Sequence, residues 1–238
     1  MHSLPSIAEN IADLRRRIAH AASRASRDPA DITLLAVTKT VDPERIRQAY
    51  EGGLRVFGEN RVQEFENKSA ALADCAGAEW HLIGHLQSNK ATDAVNAFAA
   101  IDSVDSLRLA QKLNTAAEKL DKNLPVLLEI NVGEERSKSG FVPGSHELDE
   151  LLVAAPQLNH LRISGLMAIP PFAENPQKSR LYFRQLQQLR EQIAARKLPS
   201  IKMEVLSMGM SHDFEVAIEE GSTCVRIGTA IFGARPKP

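Results

Sequence analysis

Two hydrophobic rhythms alternate along this chain. The first is helical: Ile7, Ile11, Leu14 and Ile18 recur at spacings of four, three and four, which puts them on one helix face. Asp28-Pro29 ends that segment. After it, short apolar runs follow one another: ITLLAV (32–37), RVFG (55–58), HLIG (81–84), AAIDS (99–103), VLLEINV (126–132), RISGLMAI (162–169), EVLSM (204–208) and CVRIG (224–228). Each reads as a buried strand, rich in β-branched or aliphatic residues.

A helical segment follows each run. Pro43 opens one through Ala49, and others begin near Arg61 and Ser88. Leu107, Ala110, Leu113 and Ala117 form the apolar face of the next, and a further helix covers 146–154. Tyr182, Leu186, Leu189 and Ile193 line a long one, a short helix lies around 213–220, and Thr229 to Phe232 starts a closing turn or helix. Strands that alternate with helices pair in parallel through right-handed crossovers. Eight such units predict a (β/α)8 TIM barrel with an extra N-terminal helix. An open doubly wound sheet is the alternative, but no Gly-rich dinucleotide turn follows the first strand. No linker or low-complexity stretch interrupts the chain, so residues 1–238 are expected to form a single domain.

Composition narrows the picture. The 238 residues are close to the ~250 typical of such barrels. A net charge of −1 gives no basic excess for a nucleic-acid backbone or an anionic membrane. The run Arg15, Arg16, Arg17 shares its helix with Asp13 and reads as a solvated face. Cys75 and Cys224 are too far apart and too few for a disulfide framework. The N-terminus lacks the apolar core of a secretion signal, and no window has the ~20 apolar residues of a membrane span. A cytoplasmic location is expected.

Barrel chemistry gathers at the C-terminal ends of the strands. The residues there are Lys39, Asn60, His85, Asp102 and Ser103, Asn131, Met167, Ser207 and Ser211, and Gly228 with Thr229. Lys39 follows the first strand directly. Its amine either snorkels to the rim or is desolvated enough to attack an aldehyde as a neutral nucleophile. The stretch VLSMGMSHD (205–213) offers two hydroxyls and Gly209, and VRIGTAIFG (225–233) offers Gly228 and Thr229. Loops after strands seven and eight often bind phosphate in these barrels, though Gly and Ser also serve ordinary turns. Arg226 lies within the last strand and, if inward, needs an acceptor. His81 and His85 have H-x3-H spacing, but they flank a strand and lack a third ligand, which argues against zinc. No GxGxxG, Walker A or GxSxG motif is present.

Taken together, AVTKT (36–40), FGENRVQE (57–64), WHLIGHLQSNK (80–90), INVGEERSKSG (130–140), GLMAIP (165–170), LSMGMSHDFEVAI (206–218) and VRIGTAIFG (225–233) resemble the YggS/PROSC family of pyridoxal 5′-phosphate (PLP) homeostasis proteins. The motifs extend from the first strand to the last, in the family's order. The family usually has Tyr after FGEN, where this chain has Arg61. The resemblance implies a barrel like the N-terminal domain of bacterial alanine racemase, with PLP held covalently on Lys39 as a Schiff base. It implies that Ser207, Ser211, Gly228 and Thr229 hold the phosphate, that Arg226 faces the pyridine nitrogen, and that Asn60 lines the ring. Ile83, His85 and Met167 would be near neighbours.

PLP binding does not itself imply turnover. A cationic Arg226 at the ring nitrogen disfavours its protonation and weakens the electron sink, although alanine racemase also uses an arginine there. That enzyme takes a second base, a tyrosine, from an additional C-terminal domain of its partner subunit. This chain ends at Pro238, and its two tyrosines, Tyr50 and Tyr182, fall on predicted helices. The expectation is a monomeric, non-catalytic PLP carrier that exchanges PLP with PLP-dependent apo-enzymes. A small racemase-like PLP enzyme is the alternative. A third reading is an interaction module to which PLP is incidental.

Overall fold

The computed structural model describes residues 5–135 and 138–234. Arg136 and Ser137 of the INVGEERSKSG motif, and the end of the chain at Pro238, lie outside the described residues. Helix α1 (Ile7–Arg24) comes first. Eight strands follow: β1 (Thr33–Val37), β2 (Val56–Glu59), β3 (Glu79–Leu82), β4 (Ala100–Val104), β5 (Leu124–Ile130), β6 (Leu161–Ala168), β7 (Ile201–Met210) and β8 (Cys224–Ile227). The helices after them are α2 (Pro43–Glu51), α3 (Val62–Ser69), α4 (Ala91–Ala97), α5 (Leu107–Lys119), α6 (His146–Ala154), α7 (Arg180–Ala195), α8 (Phe214–Glu219) and α9 (Thr229–Phe232). The strands close into a barrel in sequence order, every pair parallel, with β1 joined to β8. The expected (β/α)8 barrel with an extra N-terminal helix is the fold observed.

Local sequence sets the helix ends. Ser6 and Glu9 form a reciprocal capping box on α1, and Asp42 caps α2 just before Pro43. Ser106 and Ser145 cap α5 and α6. The role of α1 follows from the shortness of α9. Four residues cannot cover the seam between β8 and β1, so α1 packs its buried Ile7, Ile11, Leu14 and Ile18 across α8, α9 and α2. Asn10 Nδ2 donates to the Ile231 carbonyl at 2.9 Å, and Arg17 pairs with Glu215 at 2.8 Å. Each such aliphatic side chain contributes about 1.5–3 kcal/mol by leaving water. Most of the core lies between strands and helices; a small cluster of Leu35, Val37, Ile83 and Cys224 is separate from it.

Every strand departs from its predicted span by at least one residue, β3, β4 and β7 among them. β3 starts two residues before the apolar HLIG run, because Trp80 stacks on Phe57 at 4.9 Å and packs on Phe65 at 4.7 Å. β7 extends to Met210, which pairs with Arg226 of β8. β4 runs to Val104, so Asp102 and Ser103 are inside a strand and not at its end. Among the described residues no helix is long and apolar enough to cross a membrane.

Candidate functional site

The C-terminal end of the barrel brings β1 and β8 side by side, with Ala36 opposite Ile227. Lys39 sits half-buried in the turn that follows β1. Gly228 opens α9 just beyond β8, and a Cβ there would lie 3.4 Å from both the Cβ and the carbonyl oxygen of Val37. The lysine turn and the first turn of α9 are therefore neighbours. The first N–H groups of a helix have no carbonyl within it to bond. In α9 one of them, from Ala230, donates to Ser211 Oγ at 3.3 Å, which ties the β7 loop to the β8 loop. Gly209 gives that loop its shape: its φ is +93°, and a Cβ would come within 2.5 Å of Ala217 Cβ. Asp213 closes the loop by accepting the Met210 N–H at 2.8 Å.

Below this rim lies a buried polar layer. Arg226 is 3% exposed. It donates to the carbonyl and hydroxyl oxygens of Ser207 and to the Ala168 carbonyl, each at 2.8 Å. Burial pushes its pKa down, while Cys224 and the carboxylates of Asp102, Glu129 and Asp213 pull it back up. Ser207 itself is fully buried inside β7. The structure thus brings Ser211, Gly228 and Thr229 together at the rim, and sets Ser207 deeper, with Arg226. Met167 is fully buried in β6, opposite Ser207 on one side and Glu129 on the other.

The remaining expected residues lie toward β2 and β3. Asn60 follows β2 half-buried, and its backbone is so close to Gly84 that a Cβ there would meet the Asn60 carbonyl at 2.4 Å. Ile83 packs over Gly58, which has no side chain to oppose it. His85 stands on the rim with its side chain 57% exposed, and its Nδ1 lies 2.9 Å from Asp105 and 3.2 Å from Ser139 Oγ. Asn131 organises the loop after β5 through the Glu135 carbonyl and N–H.

Some residues differ from expectation. Asp102, read as a strand-end residue, points instead to His81, whose Nδ1 is 3.2 Å from both carboxylate oxygens. The pair lines a cavity of about 250 Å³ at the N-terminal end of the barrel, with Thr33, Val56, Glu79 and Cys224, opposite the Lys39 end. Neither tyrosine is at the mouth: Tyr50 on α2 donates to the Ala76 carbonyl, and Tyr182 on α7 packs on the core. Glu129 escaped the sequence reading because it sits within an apolar run. Its Oε2 is buried without a hydrogen-bond partner among the described residues. Lys68 with Glu59 and Glu64 also went unread, although Glu64 and Lys68 have the i,i+4 spacing of a helix ion pair.

Residues 3–236 match the family described as alanine racemase, N-terminal domain. The chain is similar to the pyridoxal phosphate homeostasis protein of Pseudomonas aeruginosa, 46% identical over 233 residues, which cover 98% of this chain and 97% of that one. It is 45% identical to the pyridoxal phosphate homeostasis protein of Aquifex aeolicus over 227 residues, 95% of this chain and 97% of its relative. Among solved structures it is similar to PipY of Synechococcus elongatus PCC7942 with PLP bound, with a TM-score of 0.81 and 37% identity over 96% of this chain and 100% of that one. With the barrel, the motifs and these full-length matches in agreement, the chain belongs to the pyridoxal phosphate homeostasis protein family, a branch of the alanine racemase N-terminal domain fold.

Proposed function

We propose that this protein binds PLP at the C-terminal end of its barrel, on Lys39, and serves intracellular PLP homeostasis as a carrier without turnover of its own. The observation that carries the reading is the adjacency of the Lys39 turn to the first turn of α9, on neighbouring strand ends. The relatives' names and the PLP-bound PipY support the same ligand.

The donor set suits PLP. Ser211, Gly228 and Thr229 would hold the phosphate through a hydroxyl and helix-start N–H groups. Arg226, oriented by Ser207, would face the ring nitrogen; Asn60, Ile83 and Met167 would border the ring, with His85 at the rim. When bound, PLP supplies an aldehyde with which an amine condenses reversibly. Lys39 would supply the amine for that condensation, with water released on binding and taken up again on release. A guanidinium at the ring nitrogen holds no proton that it would readily give, so the electron sink stays weak. Alanine racemase shares that arginine, so it is the relatives' names, those of homeostasis proteins, that favour a carrier over a racemase-like enzyme. The mouth is open to PLP-dependent apo-enzymes as partners, and one such barrel per monomer is enough for exchange. Cys75 and Cys224, both free and buried, suit a reducing, cytoplasmic setting.

Borohydride reduction of protein mixed with PLP, followed by peptide mass mapping, tests this. One reduced PLP on Lys39, lost in Lys39→Ala, is the expected result. An adduct on another lysine, or none, overturns the assignment. Sustained amino-acid racemisation that disappears in Lys39→Ala would overturn the carrier role.

A further inference from the structure

The turn that carries Lys39 is held from behind by a buried cation. Lys68 on α3 keeps only 8% of its side chain exposed. Its ammonium donates to the carbonyls of Thr38 (3.1 Å) and Val41 (3.4 Å), and to Glu59 Oε1 (2.9 Å) and Glu64 Oε1 (3.1 Å). The two carbonyls bracket Lys39 and Thr40. Glu64 also accepts the Thr40 N–H, and the Thr38 hydroxyl donates to Glu59 Oε1 at 2.5 Å. Thr40 adopts a φ of +61°, a left-handed conformation unfavourable for a β-branched residue. Such a conformation persists only where its surroundings over-determine it. Four acceptors around one ammonium, two of them on the turn itself, provide that constraint.

Stability alone does not call for this arrangement. Lysine is rarely buried unless paired, and an apolar side chain of similar length would fill the space without desolvating a charge. What an apolar residue could not do is grip both carbonyls that flank Lys39. We infer that Lys68 is the positioning residue of Lys39: with Glu59 and Glu64 as counter-charges, it fixes the backbone of 38–41 and so sets how the Lys39 amine is presented at the mouth. This rests on the reading of Lys39 as the residue that holds PLP. Through it, the α3 clamp governs how fast PLP is taken up and given back.

Lys68→Met alone would strand Glu59 as a buried unpaired carboxylate, so the informative variant is Glu59→Gln/Lys68→Met, which removes both charges. Glu64→Ala, at a partly exposed position, frees the Thr40 N–H and takes one acceptor from Lys68 while leaving both carbonyl contacts in place. Lys68→Arg keeps the charge. Each is loaded with PLP and read in two ways: the pH midpoint of the visible absorbance band, and the rate at which hydroxylamine captures the PLP. A displaced midpoint and a capture rate changed about tenfold in the double variant are expected, as misplacement of a reacting group produces. Glu64→Ala should move in the same direction, and Lys68→Arg should stay near wild type. A role confined to stability would move the urea midpoint and neither readout. If wild type carries the Lys39 adduct while the double variant, or Glu64→Ala should the double variant not fold, keeps both wild-type values, this inference alone falls. If wild type gives no Lys39 adduct, the Lys39 assignment falls and the clamp's role with it.

Discussion

One terminal nitrogen of Arg226 donates to both the carbonyl and the hydroxyl oxygen of Ser207, at 2.8 Å each. A buried guanidinium without a carboxylate in contact is expensive, and fixed oxygen acceptors are what make it tolerable. The contact also ties β8 to β7, and the third bond, to the Ala168 carbonyl, extends the tie to β6. Arg226 is thus oriented by the protein's own oxygens, two backbone carbonyls and one hydroxyl.

Ser207→Ala removes one bond to a charged donor and leaves the two carbonyls in place. The expected loss is about 1.5–3 kcal/mol of folding stability, read by urea denaturation of the PLP-free protein. Because Ser207 is sealed beneath the rim, its loss should leave competition of PLP binding by inorganic phosphate nearly unchanged. Ser211→Ala should weaken that competition with little cost in stability. The reverse pattern would return Ser207 to the phosphate.

Much of this was legible in the sequence. Eight apolar runs, each followed by a helical face, specify the barrel, and the motif after each run finds Lys39, Asn60, Gly228 and Thr229 at strand ends. The misreadings arise where a strand's end is set by a neighbour. Trp80 pulls β3 back by stacking on Phe57, and the Met210–Arg226 pairing draws β7 forward. β7 runs two residues past its predicted end and leaves Ser207 well inside the strand, and β4, shifted one residue along the chain, has Asp102 at its centre, facing His81. Glu129 and Lys68 are hidden for a different reason. A single charge in an apolar strand, or on an amphipathic helix, has no periodic signature, and only closure of the barrel gives it its surroundings.

Glu129 is the carboxyl nearest in consequence to the site. It pairs in register with Met167, and its Oε2 is buried without a partner among the described residues. Burial pushes its pKa up from the usual 4.5, Asp105 adds to that, and Arg226 and His85 pull it back. An acid whose folded pKa is raised loses its proton first in the unfolded chain. Stability therefore falls as pH climbs from the unfolded value through the folded one, and the full penalty applies above both. Glu129→Gln removes the penalty. It should be more stable than wild type at pH 8, with the gain shrinking toward zero below about pH 4, as followed by urea unfolding at both pH values. A variant less stable than wild type at pH 8 would mean that the ionised carboxylate is needed to balance Arg226.

At the opposite end of the barrel the sign is reversed. His81 lies 3.2 Å from both oxygens of Asp102, whose side chain is 3% exposed. Burial by itself would lower the His81 pKa. The Asp102 charge and hydrogen bond, with help from Glu79, outweigh it, and the net shift is upward from 6.5. A base with a raised folded pKa contributes its stability in full below the unfolded pKa and loses it as pH rises through the folded one. The His81–Asp102 pair should therefore fasten β3 to β4 most firmly on the acid side of about pH 6.5. Asp102→Asn keeps the shape of the side chain and removes the charge. The gap in unfolding free energy between wild type and this variant should be widest near pH 6 and narrow steadily on the alkaline side. The pair lines the cavity at the N-terminal end of the barrel, opposite the Lys39 end, so the gap should be the same with and without PLP. A gap independent of pH would show that the imidazole is neutral throughout, and that the contact is a plain hydrogen bond rather than an ion pair.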